Sequence, residues 1–373
     1  MPEQTPPGYA QNARPSLYGQ ELKHVDEVLG TGQFGHGSVT EEFERSVADL
    51  LGVPDVVAVS TGTDALHNAL AVTGIQPGDE VLVPSMTFCA TVQAILAAGA
   101  TPRFTEVDPA TLCLTGADVM DALTPATRAV VPVLYGGRAV DLTDVQAELD
   151  QRGITVVEDA AHAFGSMSGR RRVGASGTGL TCFSFGPIKN LTCGQGGAIV
   201  PRTREEATAA RQMRLLGMVE SPTERARSTT YRVERVGIRG HMSQLNAAIG
   251  LAQLPHFDRA RSERRKLWRT YAAALADVDR VQLVDVDPER SVPSLCAVRV
   301  PDRDRVFEIM RGKGIGVGAH YPPNHTQPAF VEWHRPLPVT EMIGAEILTL
   351  PFHQHMTSAD VGVVVAGLEG ALE

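Results

Sequence analysis

Three short segments of this 373-residue chain place reactive side chains where an apolar run gives way to a turn. The first is Ser60-Thr61-Gly62-Thr63-Asp64-Ala65-Leu66. A β-branched run ends at Ser60, and a helix is expected to open shortly after it. Free N–H groups and the positive dipole end at a helix start suit a phosphate. Gly62 lets the backbone approach closely, and Thr63 can donate its hydroxyl. The same residues also fit a plain capped helix after a tight turn. The second segment is Val156-Val157-Glu158-Asp159-Ala160-Ala161-His162, an apolar strand that delivers two acids and then a histidine. A carboxylate there is costly unless it meets a cation or donors, and a protonated pyridine nitrogen is such a partner. Asp159 as a helix N-cap is the plain alternative. The third is Phe183-Ser184-Phe185-Gly186-Pro187-Ile188-Lys189-Asn190, followed by Gly194-Gln195-Gly196-Gly197. A lysine in a desolvated pocket loses its proton more easily and becomes a nucleophilic amine that forms Schiff bases. Ser184 could reach a phosphate. An exposed loop lysine is the commoner fate. Together the segments supply what pyridoxal 5'-phosphate (PLP) needs: a phosphate cradle, an acid that keeps the ring nitrogen protonated, and a Schiff-base lysine.

These residues need elements to hold them. Leu22, Val25, Val28 and Leu29 recur at helical spacing within Gln20–Leu29, as do Phe43, Val47, Leu50 and Leu51 within Val39–Leu51. Short β-branched runs follow at Val56–Ser60, Glu80–Val83, Arg128–Val133, Ile154–Glu158, Thr181–Phe185 and Gly197–Val200, with helical stretches such as Asp64–Val72 and Ala90–Ala98 between several of them. Buried strands alternating with helices indicate an α/β domain with a mainly parallel sheet. All three reactive segments then sit at carboxyl ends of strands, the edge where open α/β sheets bind ligands. Met242–Leu254 reads as a further helix. Pro255 comes next, then the charged stretch Arg259–Arg269, expected to be a solvated helix face. We place a domain boundary near Pro255, giving a large domain over 1–254 and a smaller one over 255–373.

The formal net charge of -9 argues against non-specific nucleic-acid binding. The five cysteines are scattered and form no C-x-x-C pair, so neither a disulfide framework nor a zinc site is expected. His353-x-His355 reads as a solvated loop. Gly30-Thr31-Gly32-Gln33-Phe34-Gly35 matches G-x-G-x-x-G, but it follows a helix where a dinucleotide fold needs a strand. The polar, Pro-rich Met1–Arg14 has no apolar core for a signal peptide, and no run approaches the ~20 apolar residues of a membrane span. No membrane partner is expected, and the cytoplasm is the expected location.

With these motifs in place, the chain resembles the DegT/DnrJ/EryC1/StrS family of sugar aminotransferases, from about Leu17 to Pro351. The shared motifs include Pro77-Gly78-Asp79-Glu80-Val81, Pro84-Ser85-Met86-Thr87-Phe88, Glu158-Asp159-Ala160-Ala161-His162, Ser184-Phe185-Gly186-Pro187-Ile188-Lys189-Asn190 and His320-Tyr321-Pro322. The resemblance implies the fold-type-I PLP architecture, with a smaller C-terminal α+β domain. It implies that Lys189 carries the cofactor and shuttles a proton, and that Asp159 pairs with the pyridine nitrogen. By the same resemblance His162 lies beside the ring's 3-oxygen and Phe88 stacks on the ring. Gly62, Thr63, Asp64 and Ser184 match phosphate contacts, and His320 and Tyr321 fall close to the substrate. Many members read Gly-Tyr-Asn-Tyr-Arg-Met where this chain reads Gly237-Ile238-Arg239-Gly240-His241-Met242. Arg239 falls at the Asn that reaches the partner subunit's phosphate, a role arginine can fill bidentately. The implied activity moves an amino group from an amino acid, glutamate being the expected donor, to a nucleotide-linked keto-sugar in a homodimer. A keto-cyclitol acceptor, a sugar dehydratase and a non-catalytic binder are the alternatives. Dehydrating relatives carry histidine where this chain has Lys189.

Overall fold

A computed structural model describes residues 6–220, 224 and 227–373. The first five residues of the polar Met1–Arg14 stretch therefore lie outside the described residues. The strands are β1 (Val57–Val59), β2 (Glu80–Pro84), β3 (Thr101–Thr105), β4 (Thr127–Val130), β5 (Thr155–Asp159), β6 (Met167–Ser168), β7 (Arg171–Arg172), β8 (Gly179–Ser184), β9 (Gly197–Val200), β10 (Gln282–Leu283), β11 (Cys296–Arg299) and β12 (Ile347–Leu350). Seven of them form one sheet in the order β1-β9-β8-β5-β4-β2-β3. The pairs from β8 to β3 are parallel, and only β9 runs against its neighbours. The expected mainly parallel sheet is thus present. Strands β8 and β9 are buried on both faces, which is why they read as continuous apolar runs rather than alternating ones.

Strand register brings the reactive segments together. Val59 lies opposite Gly197, and Gly197 lies opposite Ser184 on the other side of β9. Asp159 pairs with Cys182 one strand further on. The ends of β1, β5 and β8 therefore meet at one edge. After β1 the chain turns into the helix Gly62–Val72, which Thr61 caps by accepting from the Asp64 N–H at 3.0 Å. A Cβ at position 197 would lie 2.3 Å from the Thr61 carbonyl oxygen, so this turn requires glycine in β9.

β3 is missing from the sequence-based reading, and its place explains why. It is the last strand of the sheet, where Pro102 loses nothing by lacking an N–H, and Arg103 interrupts the apolar run. The glycine-rich segment after residue 30 behaves as expected. Gly32 ends the helix Glu21–Thr31 at φ 68°, with no strand before it.

The second sheet, β10-β11-β12, is antiparallel and packs with the helices Phe257–Leu275 and Ser358–Leu372 around Leu267, Trp268, Tyr271, Val298, Leu348 and Leu368. The charged stretch is only partly the solvated face expected of it. Arg259 and Arg261 make helical ion pairs with Glu263 and Asp258. Arg264, however, falls on the buried stripe with Ala260, Leu267 and Tyr271. It donates to the Pro293 and Ser294 carbonyls at 3.3 and 3.4 Å and lies over the Phe352 ring, and burial lowers its pKa to about 10. His353 and His355 donate to the Gly8 and Pro15 carbonyls at 2.9 and 3.0 Å, holding the N-terminal segment. All five cysteines are free. Among the described residues no helix is long and apolar enough to cross a membrane.

Candidate active site

A cavity of about 260 Å³ opens where β1, β5 and β8 end. Lys189, Asp159 and His162 line it together with Phe88, Ser184 and Tyr321, and Gly62 and Thr63 close one end. The three segments singled out in the sequence therefore meet at one site.

The helix start at Gly62 forms the end of the cavity suited to an anion. Its first N–H groups have no partner inside the helix. Asp64 N is taken by the Thr61 hydroxyl and Ala65 N by the Thr61 carbonyl. Gly62 N and Thr63 N are left for an outside acceptor. A Cβ on Gly62 would come within 2.7 Å of the Ser184 Cβ, so only glycine lets the Ser184 hydroxyl join this cradle.

Asp159 is 6% exposed at the end of β5. Thr91 donates its hydroxyl to Asp159 Oδ2 at 2.7 Å, and Ala161 N donates to Oδ1 at 3.1 Å. Burial raises the Asp159 pKa, while these two donors and Lys189 oppose the rise. A turn rather than a helix follows, so the helix-cap alternative is not realised. Lys189 is half-buried, and desolvation lowers its pKa against an opposing pull from Asp159. It is not the exposed loop lysine of the plain reading. The amine and the acid thus occupy one cavity, each pushed by burial toward its neutral form.

His162 Nε2 and the Tyr321 hydroxyl are 3.1 Å apart. Burial holds the His162 pKa well below its ordinary value, with Lys189 adding to the effect, and burial raises that of the Tyr321 phenol. His162 Nδ1 is buried without a hydrogen-bond partner among the described residues. Phe88 is 56% exposed, yet its ring forms a wall of the cavity 5.7 Å from the Tyr321 ring. His320 lies in an adjoining cavity of about 50 Å³, which it shares with Lys189, His162 and Tyr321.

Two residues named from the sequence stand apart. The Asp64 carboxylate accepts from the Ser60 hydroxyl and does not line the main cavity. Arg239 borders a separate cavity of about 200 Å³ with Gly35, His36 and His241. Conversely, Thr91, Thr87 and Gln195 line the main cavity without having been named as site residues. For Thr91 a signal existed. It lies three residues after Phe88, on the first turn of the helix Cys89–Ala97, and so presents to the same side.

These residues fit PLP. The Gly62 and Ser184 cradle leaves room that any Cβ would fill, and among the described residues His162 Nδ1 is unpartnered and the buried acid accepts from only two neutral donors. The family model for the DegT/DnrJ/EryC1/StrS aminotransferase family matches residues 15–369. The aminotransferase TlmJ from Streptoalloteichus hindustanus is 34% identical, with a TM-score of 0.89 over 97% of this chain and 98% of that one. The sugar aminotransferase CalS13 from Micromonospora echinospora is 28% identical, with a TM-score of 0.90 over 97% and 99%. NtdA from Bacillus subtilis, solved with bound pyridoxamine phosphate, is 27% identical, with a TM-score of 0.85 over 95% and 83%. The chain belongs to the DegT/DnrJ/EryC1/StrS aminotransferase family and is a PLP-dependent aminotransferase with the fold-type-I architecture.

Proposed function

We propose that this enzyme moves an amino group from glutamate to a keto-sugar carried on a nucleotide. The observation that carries the chemistry is the enclosure of Lys189 and Asp159 in one cavity beside a phosphate-sized helix start. The sugar acceptor rests on the likeness to CalS13, itself a sugar aminotransferase.

When bound, PLP supplies an aldehyde that takes up amines and a ring that stores the electron pair released at the donor α-carbon. The protein supplies the rest. Gly62 N, Thr63 and Ser184 hold the phosphate, and Phe88 covers the ring. Asp159, kept charged by the Thr91 hydroxyl and Ala161 N–H, holds a proton on the ring nitrogen. Lys189 Nζ would hold the aldehyde and, when free, would accept the α-proton of the amino donor. A Tyr321 hydroxyl donating to His162 Nε2 would leave the imidazole proton on Nδ1, where it could meet the ring's 3-oxygen. His320 and Tyr321 contact the acceptor. Arg239, outside the main cavity, serves the phosphate of a partner subunit in a homodimer, and the chain divides into two domains near Pro255.

Purified protein, glutamate and a panel of keto-sugar nucleotides test the reading directly. Aminated product detected by mass with at least one acceptor is expected. No product with any of them, alongside turnover of keto-cyclitols, would overturn the sugar assignment.

A further inference from the structure

Away from the PLP cavity, two histidines and an acid converge on the loop that follows His320. His325 lies in the short turn Asn324–Thr326, His334 directly after the turn Val331–Trp333, and Glu341 in the first turn of the helix Pro338–Glu346. One ligand atom from each lies within 4.8 Å of the others. We propose that His325 Nε2, His334 and Glu341 bind one divalent transition-metal ion of the zinc class, with a fourth position open to water.

The distances accommodate a metal as well as the hydrogen bond that His325 and Glu341 make without one. His325 Nε2 and Glu341 Oε1 are 3.3 Å apart. A charge-assisted hydrogen bond between such groups is shorter, about 2.7–2.9 Å. Two ligand atoms each ~2.1 Å from a tetrahedral zinc are ~3.4 Å apart, which is the spacing observed. His334 is exposed, so its ring can close the remaining gap of no more than ~1.4 Å by a small rotation. The outer partners also fit. The ring Nδ1 of His325 sits 2.7 Å from the Ser85 hydroxyl, which accepts the His325 N–H as well. That contact fixes the ring and turns Nε2 toward the other two ligands, as a metal-bound imidazole requires. The carboxylates of Glu341 and Glu106 both attract a cation at His325, while His334 opposes it. Two imidazoles and one carboxylate select zinc, cobalt or nickel over calcium and magnesium.

The site would stiffen the active-site wall. Asn324 donates to the Ser85 and Thr87 carbonyls at 3.0 and 2.6 Å, and the same Ser85–Phe88 segment carries Phe88 to the cavity. A metal on His325 therefore ties the helix Pro338–Glu346 to the segment that bears the ring-covering phenylalanine.

The test uses the PLP-loaded enzyme, stripped with a chelator, dialysed against zinc chloride and assayed for bound metal by elemental mass spectrometry. One zinc per chain is expected, with a rise in Tm and unchanged PLP content. His334→Ala and Glu341→Gln, both at exposed positions, should each lose that zinc and the Tm rise while keeping PLP. Cobalt in place of zinc should give the intense visible bands of a four-coordinate site, and His334→Ala should lose them. The proposal is overturned if the wild type holds no stoichiometric zinc. It is equally overturned if both variants bind zinc as the wild type does, or if calcium or magnesium produces the same Tm rise.

Discussion

Replacing Thr91 with valine isolates the role of Asp159. The change keeps the shape of the side chain but removes the hydroxyl that donates to Asp159 Oδ2 at 2.7 Å. The Ala161 N–H on Oδ1 remains, so the carboxylate stays in position with one donor instead of two. A hydrogen bond to a charged group contributes about 1.5–3 kcal/mol, and removing it acts only on the ionised form of Asp159. That corresponds to roughly a 10- to 100-fold shift of the buried acid toward its neutral, useless state. Burial already raises this pKa, and losing Thr91 raises it further. The acid limb of the activity profile must therefore move to higher pH, and kcat/KM must fall most on that limb. The Thr87 hydroxyl, 2.9 Å from Thr91 Oγ1, also loses its partner, so Thr91→Ser is the control that restores both contacts. The assay is kcat/KM across pH for wild type, Thr91→Val and Thr91→Ser. A valine variant with the wild-type pH profile and wild-type kcat/KM would refute the claim that the hydroxyl keeps Asp159 charged.

Other expectations follow from single contacts. Gly62→Ala puts a Cβ 2.7 Å from the Ser184 Cβ. The overpacking costs about 1–3 kcal/mol, so PLP affinity in a titration should drop at least several-fold while the fold persists. Glu44→Gln breaks a buried ion pair with Arg214, which also donates to the Ala58 carbonyl at 2.5 Å. Leaving Arg214 buried without its counter-charge should cost about 3–5 kcal/mol in urea unfolding, and a loss under 1 kcal/mol would contradict the pairing. His36 has its pKa lowered to about 4, by burial first and by Arg214 second. Its unfolded form binds the proton more tightly, so its contribution is complete above pH ~6.5 and is lost as pH falls toward 4. His36→Gln should flatten that part of the stability curve.

The sequence revealed most where the backbone constrains residue type. Lys189, Asp159 and Gly62 were legible because each lies at or just beyond the end of a buried apolar strand, where a charged side chain or a glycine stands out. The strand runs and the parallel sheet were legible for the same reason. β3 was not, because an edge strand tolerates Pro102 and Arg103 and loses its apolar signature. Arg264 was misread with its charged neighbours, since composition along a helix does not say which side faces the core. The spacing from Phe88 pointed Thr91 toward the site, but its partner, a carboxylate 68 residues away, is a contact that only the packed sheet creates. Arg239 was placed by its motif, and the single chain sets it in a different cavity from Lys189.

The central claim is that one lysine holds the cofactor. The chain has four lysines, Lys23, Lys189, Lys266 and Lys313, and Lys189 alone among them is not exposed. Borohydride reduction of the PLP-loaded enzyme, followed by digestion and peptide mass mapping, reads the attachment directly. A single phosphopyridoxyl adduct on Lys189, absent from an inactive Lys189→Ala variant, is the expected result. An adduct on any of the other three lysines, or full transamination by Lys189→Ala, would contradict the account.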